Sequence, residues 1–127
     1  MESVRCKPNC WHQKLSLRER KDAGLLMLFR IDKVLAKQIS ETVCARFNLP
    51  KVKISFLSED PNDFGIYSDN AIELYGPGQN AECLTHELAH HLAESRRDKQ
   101  KHGKKFVQAY RDLILVVKKY LKEKDSE

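Results

Sequence analysis

The chain has 127 residues, of which 41% are hydrophobic and 32% are charged, and its formal net charge is +5. This length lies near the usual size of one domain, and the apolar fraction is too high for a wholly disordered chain. No apolar run approaches the roughly 20 residues that cross a bilayer, and residues 1–6 lack the apolar core of a secretory signal. We therefore expect a cytoplasmic, monomeric, single-domain protein that does not bind membranes.

Capping residues and apolar periodicity predict two helices in the first half of the chain. Residues 16–19 (Ser-Leu-Arg-Glu) have the form of a capping box, which predicts a short helix that stops near Gly24. Residues 25–29 are apolar and are ambiguous between helix and strand. An apolar stripe from Ile31 to Phe47 predicts a second helix.

Three short strands are predicted next. Residues 52–56 alternate between apolar and polar side chains, which is typical of a half-buried strand. Residues 64–67 and 71–75 flank Ser68-Asp69-Asn70 and predict a hairpin.

Two further helices are predicted in the last third of the chain. Asn80 can cap a helix in which Leu84, Leu88 and Leu92 repeat at four-residue spacing, so this helix packs on the core through about Ser95. After a polar loop, an apolar stripe over residues 106–121 predicts a final helix. The order of elements predicts an α+β fold, with helices packed on a small, mainly antiparallel three-stranded sheet.

The helix predicted over residues 81–95 carries His86-Glu87-Leu88-Ala89-His90. Histidines four residues apart project from one helix face, so both imidazoles can reach one Zn²⁺. Glu87 lies beside the first histidine and can act as a general base without binding the metal.

A catalytic zinc site needs a third protein ligand, and the spacing leaves two candidates. Glu94 lies about 12 Å along the helix axis from His86, so it cannot easily share one ion with both histidines. His91 points about 100° away from His90, so it is also disfavoured as a ligand. His102 follows the loop after this helix, and Asp112 on the final helix is the rival.

These residues resemble a known family. Thr85-His86-Glu87-Leu88-Ala89-His90, a short basic connection and then His102-Gly103-x-x-Phe106 are similar to the SprT-like zinc metallopeptidases, which include the Spartan proteases. The resemblance is strongest over residues 81–107 and extends loosely back to residue 31. It implies a zincin-like peptidase core over residues 31–127, preceded by an N-terminal extension over residues 1–30.

The resemblance also implies roles for individual residues. His86, His90 and His102 would bind Zn²⁺, and Glu87 would be the catalytic base that acts on a polypeptide substrate. A hairpin strand at the edge of the sheet would pair with extended substrate, although the sequence does not say which strand. Spacing assigns no oxyanion-stabilising residue, and four side chains are candidates: Tyr67, Tyr75, His91 and Tyr110.

Basic residues are concentrated between the second and third proposed ligands. They are Arg96, Arg97, Lys99, Lys101, Lys104 and Lys105. Such density can contact phosphates, and Spartan-type relatives act on proteins attached to DNA, so DNA or a DNA-bound protein is a candidate partner. The alternative interpretation is that these basic residues form a solvated loop that binds no partner. The rival function is a nucleic-acid-associated accessory protein with a non-catalytic zinc site.

The cysteines allow a second, weaker hypothesis. A closed structural zinc site needs four ligands, and Cys6, Cys10 and His12 could provide three of them. Cys44 or Cys83 would have to provide the fourth. Cys44 and Cys83 both lie in predicted helices and read more simply as small buried hydrophobic residues.

Overall fold

Helices dominate the structure, and its strands are short. The computed structural model describes residues 4–6, 15–58, 64–97 and 103–125. In chain order the elements are strand β1 (Val4–Cys6), helices α1 (Leu17–Met27) and α2 (Lys33–Phe47), strands β2 (Lys53–Leu57), β3 (Gly65–Ser68) and β4 (Ala71–Tyr75), a 3-10 turn (Gly76–Gly78), and helices α3 (Ala81–Ser95) and α4 (Lys104–Asp125). The predicted α+β class is confirmed. Over these ranges, none of the helices has both the length and the apolarity needed to cross a membrane.

The first helix begins where the sequence predicts and ends later. The Ser16 hydroxyl accepts a hydrogen bond from the backbone N–H of Glu19 (3.2 Å), and the Glu19 carboxylate accepts one from the backbone N–H of Ser16 (2.8 Å). The capping box is therefore confirmed. The predicted stop near Gly24 is wrong because α1 continues to Met27. Burial of Leu26 in the core favours this last turn and outweighs the weak helix propensity of glycine.

The predicted hairpin is confirmed in β3 and β4. Asp69 and Asn70 connect the two strands and both lie in the left-handed region, with φ of 46° and 62°. A two-residue connection with positive φ at both positions matches the right-handed twist of the flanking strands. Aspartate and asparagine tolerate this backbone conformation better than most residues do.

The strands lie in the order β1-β3-β4-β2. Strand β4 lies between the other two predicted strands, antiparallel to β3 and parallel to β2. Two of the three pairings within the described residues are antiparallel, so the sheet is mixed. Strand β1 pairs with β3 and is a fourth strand that the sequence did not predict.

Helix α3 is the central element of the core. Its residues 81–93 are all buried, and Leu84, Leu88 and Leu92 pack into the hydrophobic core. Helix α4 packs against α3 and contributes an apolar stripe made of Phe106, Tyr110, Leu113, Ile114, Val117 and Leu121. Each fully buried side chain of this size contributes roughly 1.5–3 kcal/mol. The helix that carries the two histidines is therefore held firmly along its length.

Part of the predicted N-terminal extension packs on the same core. Ala23 and Leu26 of α1 belong to the core cluster. On the outer side of this contact, the ammonium group of Lys118 in α4 pairs with the Asp22 carboxylate at 3.0 Å. Residues 15–27 are therefore part of the packed domain.

The hairpin is joined to the start of α3 by close contacts. A Cβ added to Gly78 would lie 2.6 Å from the carbonyl carbon of Phe64, so only glycine fits there. The Asn80 side chain accepts a hydrogen bond from the backbone N–H of Cys83 (2.9 Å) and donates one to the carbonyl of Pro77 (3.0 Å). This cap fixes where α3 begins relative to the sheet.

Candidate metal centre

His86 and His90 face each other one turn apart on α3. Their Nε2 atoms are 3.2 Å apart, and their ring centroids are 5.0 Å apart. Both side chains are buried, at 4% and 5% exposure. The structure thus brings together the two histidines that the helical spacing pairs.

The separation of these nitrogens fits a shared zinc ion. Two nitrogen ligands that each lie about 2.0–2.1 Å from a tetrahedral Zn²⁺ are about 3.3–3.4 Å apart. The observed 3.2 Å differs from this by less than about 0.2 Å. Imidazole nitrogens are also ligands that zinc prefers, so the geometry and chemistry of the pair both fit the ion.

The third ligand that the resemblance implies, His102, lies outside the described residues. Among the residues that are described, no three histidine, cysteine or carboxylate side chains form a metal-binding group. Gly103, the next residue in the sequence, accepts a hydrogen bond from the backbone N–H of Val107 (3.0 Å) at the start of α4. Gly103 therefore provides the first main-chain acceptor of α4.

Phe106 forms a wall beside the two histidines. Its ring centroid lies 4.3 Å from that of His90 and 5.1 Å from that of His86. The Phe106 side chain is completely buried. An aromatic wall of this kind restricts the rotation of both imidazoles and excludes water from one side of the pair, which favours precise ligand placement.

Glu87 is directed toward the sheet, where it packs against Gly65. A Cβ added to Gly65 would lie 3.0 Å from Oε2 and 3.2 Å from Cγ of Glu87. The Glu87 side chain is 1% exposed. The glutamate that the resemblance makes catalytic thus follows His86 on α3 and contacts the first residue of β3. A glycine in a strand is a known signal of close approach by another group, although the sequence does not identify that group.

A second buried carboxylate lies one turn before His86. The hydroxyl of Tyr110 donates a hydrogen bond to the Glu82 carboxylate (3.2 Å), and the Tyr110 ring packs edge-on against the His86 ring at 6.5 Å. Burial raises the pKa of the Tyr110 hydroxyl, and the Glu82 charge raises it further. Tyr110 is therefore a neutral hydrogen-bond donor that is already engaged by Glu82.

The environments of Cys44 and Cys83 do not favour zinc binding. Burial raises the pKa of the Cys83 thiol, and the charges of Glu82 and Glu87 raise it further. Burial also raises the pKa of the Cys44 thiol. Zinc binds the thiolate form, so zinc binding at either cysteine would have to displace a proton that burial favours. The other residues of that hypothesis, Cys10 and His12 and the side chain of Cys6, lie outside what the structure describes.

Asp112, the rival third ligand, is engaged elsewhere. Its carboxylate pairs with the Arg96 guanidinium at 3.1 Å and accepts a hydrogen bond from the Gln108 amide at 3.0 Å. Asp112 follows Tyr110 by two residues, so it projects about 200° around α4 from the residue that contacts His86. The structure does not bring Asp112 to the histidine pair.

Tyr67 and His91 bind each other on a different side of α3. The Tyr67 hydroxyl lies 2.8 Å from Nδ1 of His91, and Nε2 of His91 lies 2.8 Å from the carbonyl oxygen of Pro50. Because a carbonyl only accepts hydrogen bonds, Nε2 carries a proton. Burial raises the pKa of the Tyr67 hydroxyl. This network ties α3 to the sheet and to the loop before β2, so neither side chain is positioned for oxyanion stabilisation.

The basic stretch has partly structural contacts. Arg96 pairs with Asp112, and the Lys105 ammonium group donates a hydrogen bond to the Arg96 carbonyl (2.8 Å). Arg97 and Lys104 are exposed. The other two basic residues of the stretch, Lys99 and Lys101, lie outside the described residues. Two of the four described basic residues thus fasten the end of α3 to α4.

Comparison of this chain with protein-family models, with curated proteins and with solved structures found no match. The assignment of function therefore depends on the chemistry of the site and on the motif resemblance.

Proposed function

We propose that this protein is a zinc-dependent metallopeptidase of the His-Glu-x-x-His type. The observation that carries the proposal is the 3.2 Å separation of the Nε2 atoms of His86 and His90, with Glu87 buried beside them. His86, His90 and His102 would hold the zinc. When bound, the ion would supply a Lewis acid that polarises the scissile carbonyl and makes the attacking water more acidic.

Glu87 would move the proton in this reaction. It would accept a proton from the attacking water as the water oxygen bonds to the carbonyl carbon. It would then give that proton to the amine nitrogen as the carbon–nitrogen bond breaks. Positioned proton transfer of this kind typically contributes about 10²–10⁴-fold to the rate.

Strand β3 would position the substrate. It is the hairpin strand whose first residue, Gly65, contacts Glu87. Neither hairpin strand is at the edge of the described sheet, because β4 lies between β3 and β2, and β3 lies between β4 and the three-residue strand β1. Substrate pairing with β3 would require only that β1 leave. An extended polypeptide aligned with β3 would therefore pass close to the base, and main-chain pairing tolerates many side chains.

The proposal includes the protein's setting and partners. The substrate would be a polypeptide, and the protein would act as a cytoplasmic monomer. Exposed Arg97 and Lys104 at the junction of α3 and α4 support DNA or a DNA-bound protein as a further partner, because exposed cationic side chains release counterions from phosphates on binding.

The deciding experiment compares the Glu87→Gln variant with the unaltered protein. Each would be purified, its zinc content measured, and its cleavage of an unfolded protein followed. Glu87→Gln should retain about one zinc per chain and lose about 10²-fold or more of the activity. Glu94→Gln makes the same chemical change two turns along α3 and should keep both properties. Zinc binding without cleavage by the unaltered protein would instead support the accessory-protein function.

A further inference from the structure

Both sides of β3 are paired in the structure. On one side β4 completes the hairpin, and on the other side β1 runs antiparallel to β3. Val4 is opposite Tyr67, Arg5 is opposite Ile66, and Cys6 is opposite Gly65. The main-chain groups on this side of β3, which an added peptide would need, are therefore used by the chain's own N-terminal segment.

The position of β1 places it beside the proposed base. Cys6 pairs in register with Gly65, and Gly65 is the residue against which the Glu87 carboxylate packs. Neighbouring strands lie about 4.8 Å apart. A polypeptide at this position would therefore have its main chain one strand spacing from the backbone that contacts Glu87.

Strand β1 forms only a short pairing with β3. Strand β1 has three residues, and ten residues separate Cys6 from Leu17, where α1 begins. A strand of this length makes few main-chain hydrogen bonds, so an extended segment with the same direction can form equivalent bonds in its place. The antiparallel direction shows which orientation such a segment would take.

We propose that residues 4–6 occupy the peptide-binding edge of this protein and limit access to it. This inference rests on the proposed peptidase function, since it assigns the edge of the same site. The ligand class is an extended polypeptide with at least three consecutive residues that are not proline, bound antiparallel to β3. Such a ligand binds only when β1 has left the edge. Its apparent association constant is therefore the intrinsic constant multiplied by the fraction of time that the edge is open.

The test measures peptide binding in the Glu87→Gln background, so that it does not depend on catalysis. The probe is a fluorescently labelled heptapeptide of alternating valine and serine with a lysine at each end. In an antiparallel strand every second residue donates its N–H group to the partner strand. Either Val4 or Arg5 is therefore a donor to β3, and the double variant Val4→Pro/Arg5→Pro removes that donor in both cases. The matched control, Val4→Ala/Arg5→Ala, keeps both N–H groups.

The proline pair should bind the probe about tenfold more tightly than the parent, the value expected if the edge is open about a tenth of the time. The alanine pair should bind it like the parent. A synthetic peptide of residues 1–7 should compete with the probe for binding to the proline variant and to the parent. Competition for binding to the parent does not require the variant to fold. Equal probe affinity in all three proteins, or no competition, would overturn the inference.

The outcomes separate this inference from the proposed function. Cleavage of protein by the unaltered chain, with no effect of the proline pair on probe binding, would reject the occupied edge alone. Tighter probe binding by the proline pair, with no zinc-dependent cleavage by the unaltered chain or by the proline pair with Glu87 intact, would reject the peptidase and leave a peptide-binding edge.

Discussion

The carboxylate of Glu87 lies directly against the backbone of Gly65, where an added Cβ would be 3.0 Å from Oε2 and 3.2 Å from Cγ. This contact joins the proposed base on α3 to the strand proposed to hold the substrate. Because Glu87 is almost completely buried, its carboxylate has little space to move away from an additional methyl group. The size of residue 65 therefore controls the position of this carboxylate.

The variant Gly65→Ala should displace the Glu87 carboxylate and lower kcat for peptide cleavage by about 10- to 100-fold, as expected for a displacement of up to about 1 Å. Its zinc content should be unchanged because the added methyl group meets Glu87 and not the histidines. The matched control is Gly24→Ala on α1, where nothing lies within 4 Å of the added Cβ. That control should keep full activity and gain about 0.5–1 kcal/mol of stability, because alanine favours a helix interior. Equal activity in the two variants would remove the proposed role of this contact.

The proposed ligand set predicts which alanine variants lose the metal. His86→Ala, His90→Ala and His102→Ala should each lose zinc, which would be measured by elemental analysis after dialysis. His91→Ala and Asp112→Ala should keep it, because the structure engages both side chains away from the pair. Normal zinc content in His102→Ala would reject the ligand set and leave the two helix histidines in need of another partner.

The variant Tyr67→Phe should reduce stability without loss of zinc or activity. It removes the hydroxyl that lies 2.8 Å from Nδ1 of buried His91, and an unsatisfied buried group costs about 1–3 kcal/mol. Urea unfolding would measure the loss. Tyr120→Phe removes a hydroxyl with a 3.5 Å contact to Gln38 on a partly exposed face and should change stability by less than about 0.5 kcal/mol. A large loss of activity in folded Tyr67→Phe would return Tyr67 to the candidates for oxyanion stabilisation.

Glu19 should make the stability of α1 depend on pH. Burial raises the pKa of its carboxyl, but the hydrogen bonds from Ser16 and the Arg111 charge outweigh this and lower the pKa below its usual 4.5. A lowered pKa in the folded state stabilises the protein above pH 4.5, and the contribution is lost as the pH falls through the folded-state value.

The Glu19→Gln variant should therefore be less stable than the parent at pH 7 by about 0.2–1 kcal/mol, and the difference should shrink in strongly acidic buffer. Urea unfolding at the two pH values would measure it. Glu123→Gln alters an exposed ion pair at 3.9 Å and should have an effect of less than about 0.5 kcal/mol. A difference between Glu19→Gln and the parent that grows in acid would contradict the prediction.

The proposed binding of DNA can be tested at the exposed side chains of Arg97 and Lys104. If they contact phosphates, Arg97→Gln/Lys104→Gln should weaken binding to duplex DNA. The slope of log K against log salt should also become shallower by about 0.9 for each lost contact. The control Lys37→Gln/Lys53→Gln lowers the net charge equally but changes exposed residues on α2 and β2. Identical salt slopes for the two double variants would reduce the basic stretch to a solvated junction.

Local signals in the sequence predict the elements of this fold well. The capping box at Ser16, the turn at Asp69-Asn70 and the leucine repeat of α3 each involve residues within a few positions of one another. The same is true of the histidine pair, because one helical turn is enough to align the two side chains.

Relationships between distant segments were not predictable in this way. The insertion of β4 between β3 and β2 depends on strand order, which alternation within one strand does not encode. The pairing of Arg5 with Ile66 joins two segments about 60 residues apart. Gly65 is a visible strand glycine, yet its contact with Glu87 exists only after α3 packs on the sheet.

The packing of α3 has a consequence for how the protein would respond to metal depletion. Leu84, Leu88 and Leu92 bury this helix in the core through apolar contacts. Small zinc-dependent domains unfold when chelators remove the metal, whereas here apolar packing would hold the helix. We expect a chelator to switch off hydrolysis while leaving the circular dichroism spectrum intact, and added zinc to restore turnover without a refolding step. The supply of zinc would then control peptidase activity rapidly and reversibly, because the molecules stay folded when the metal is removed.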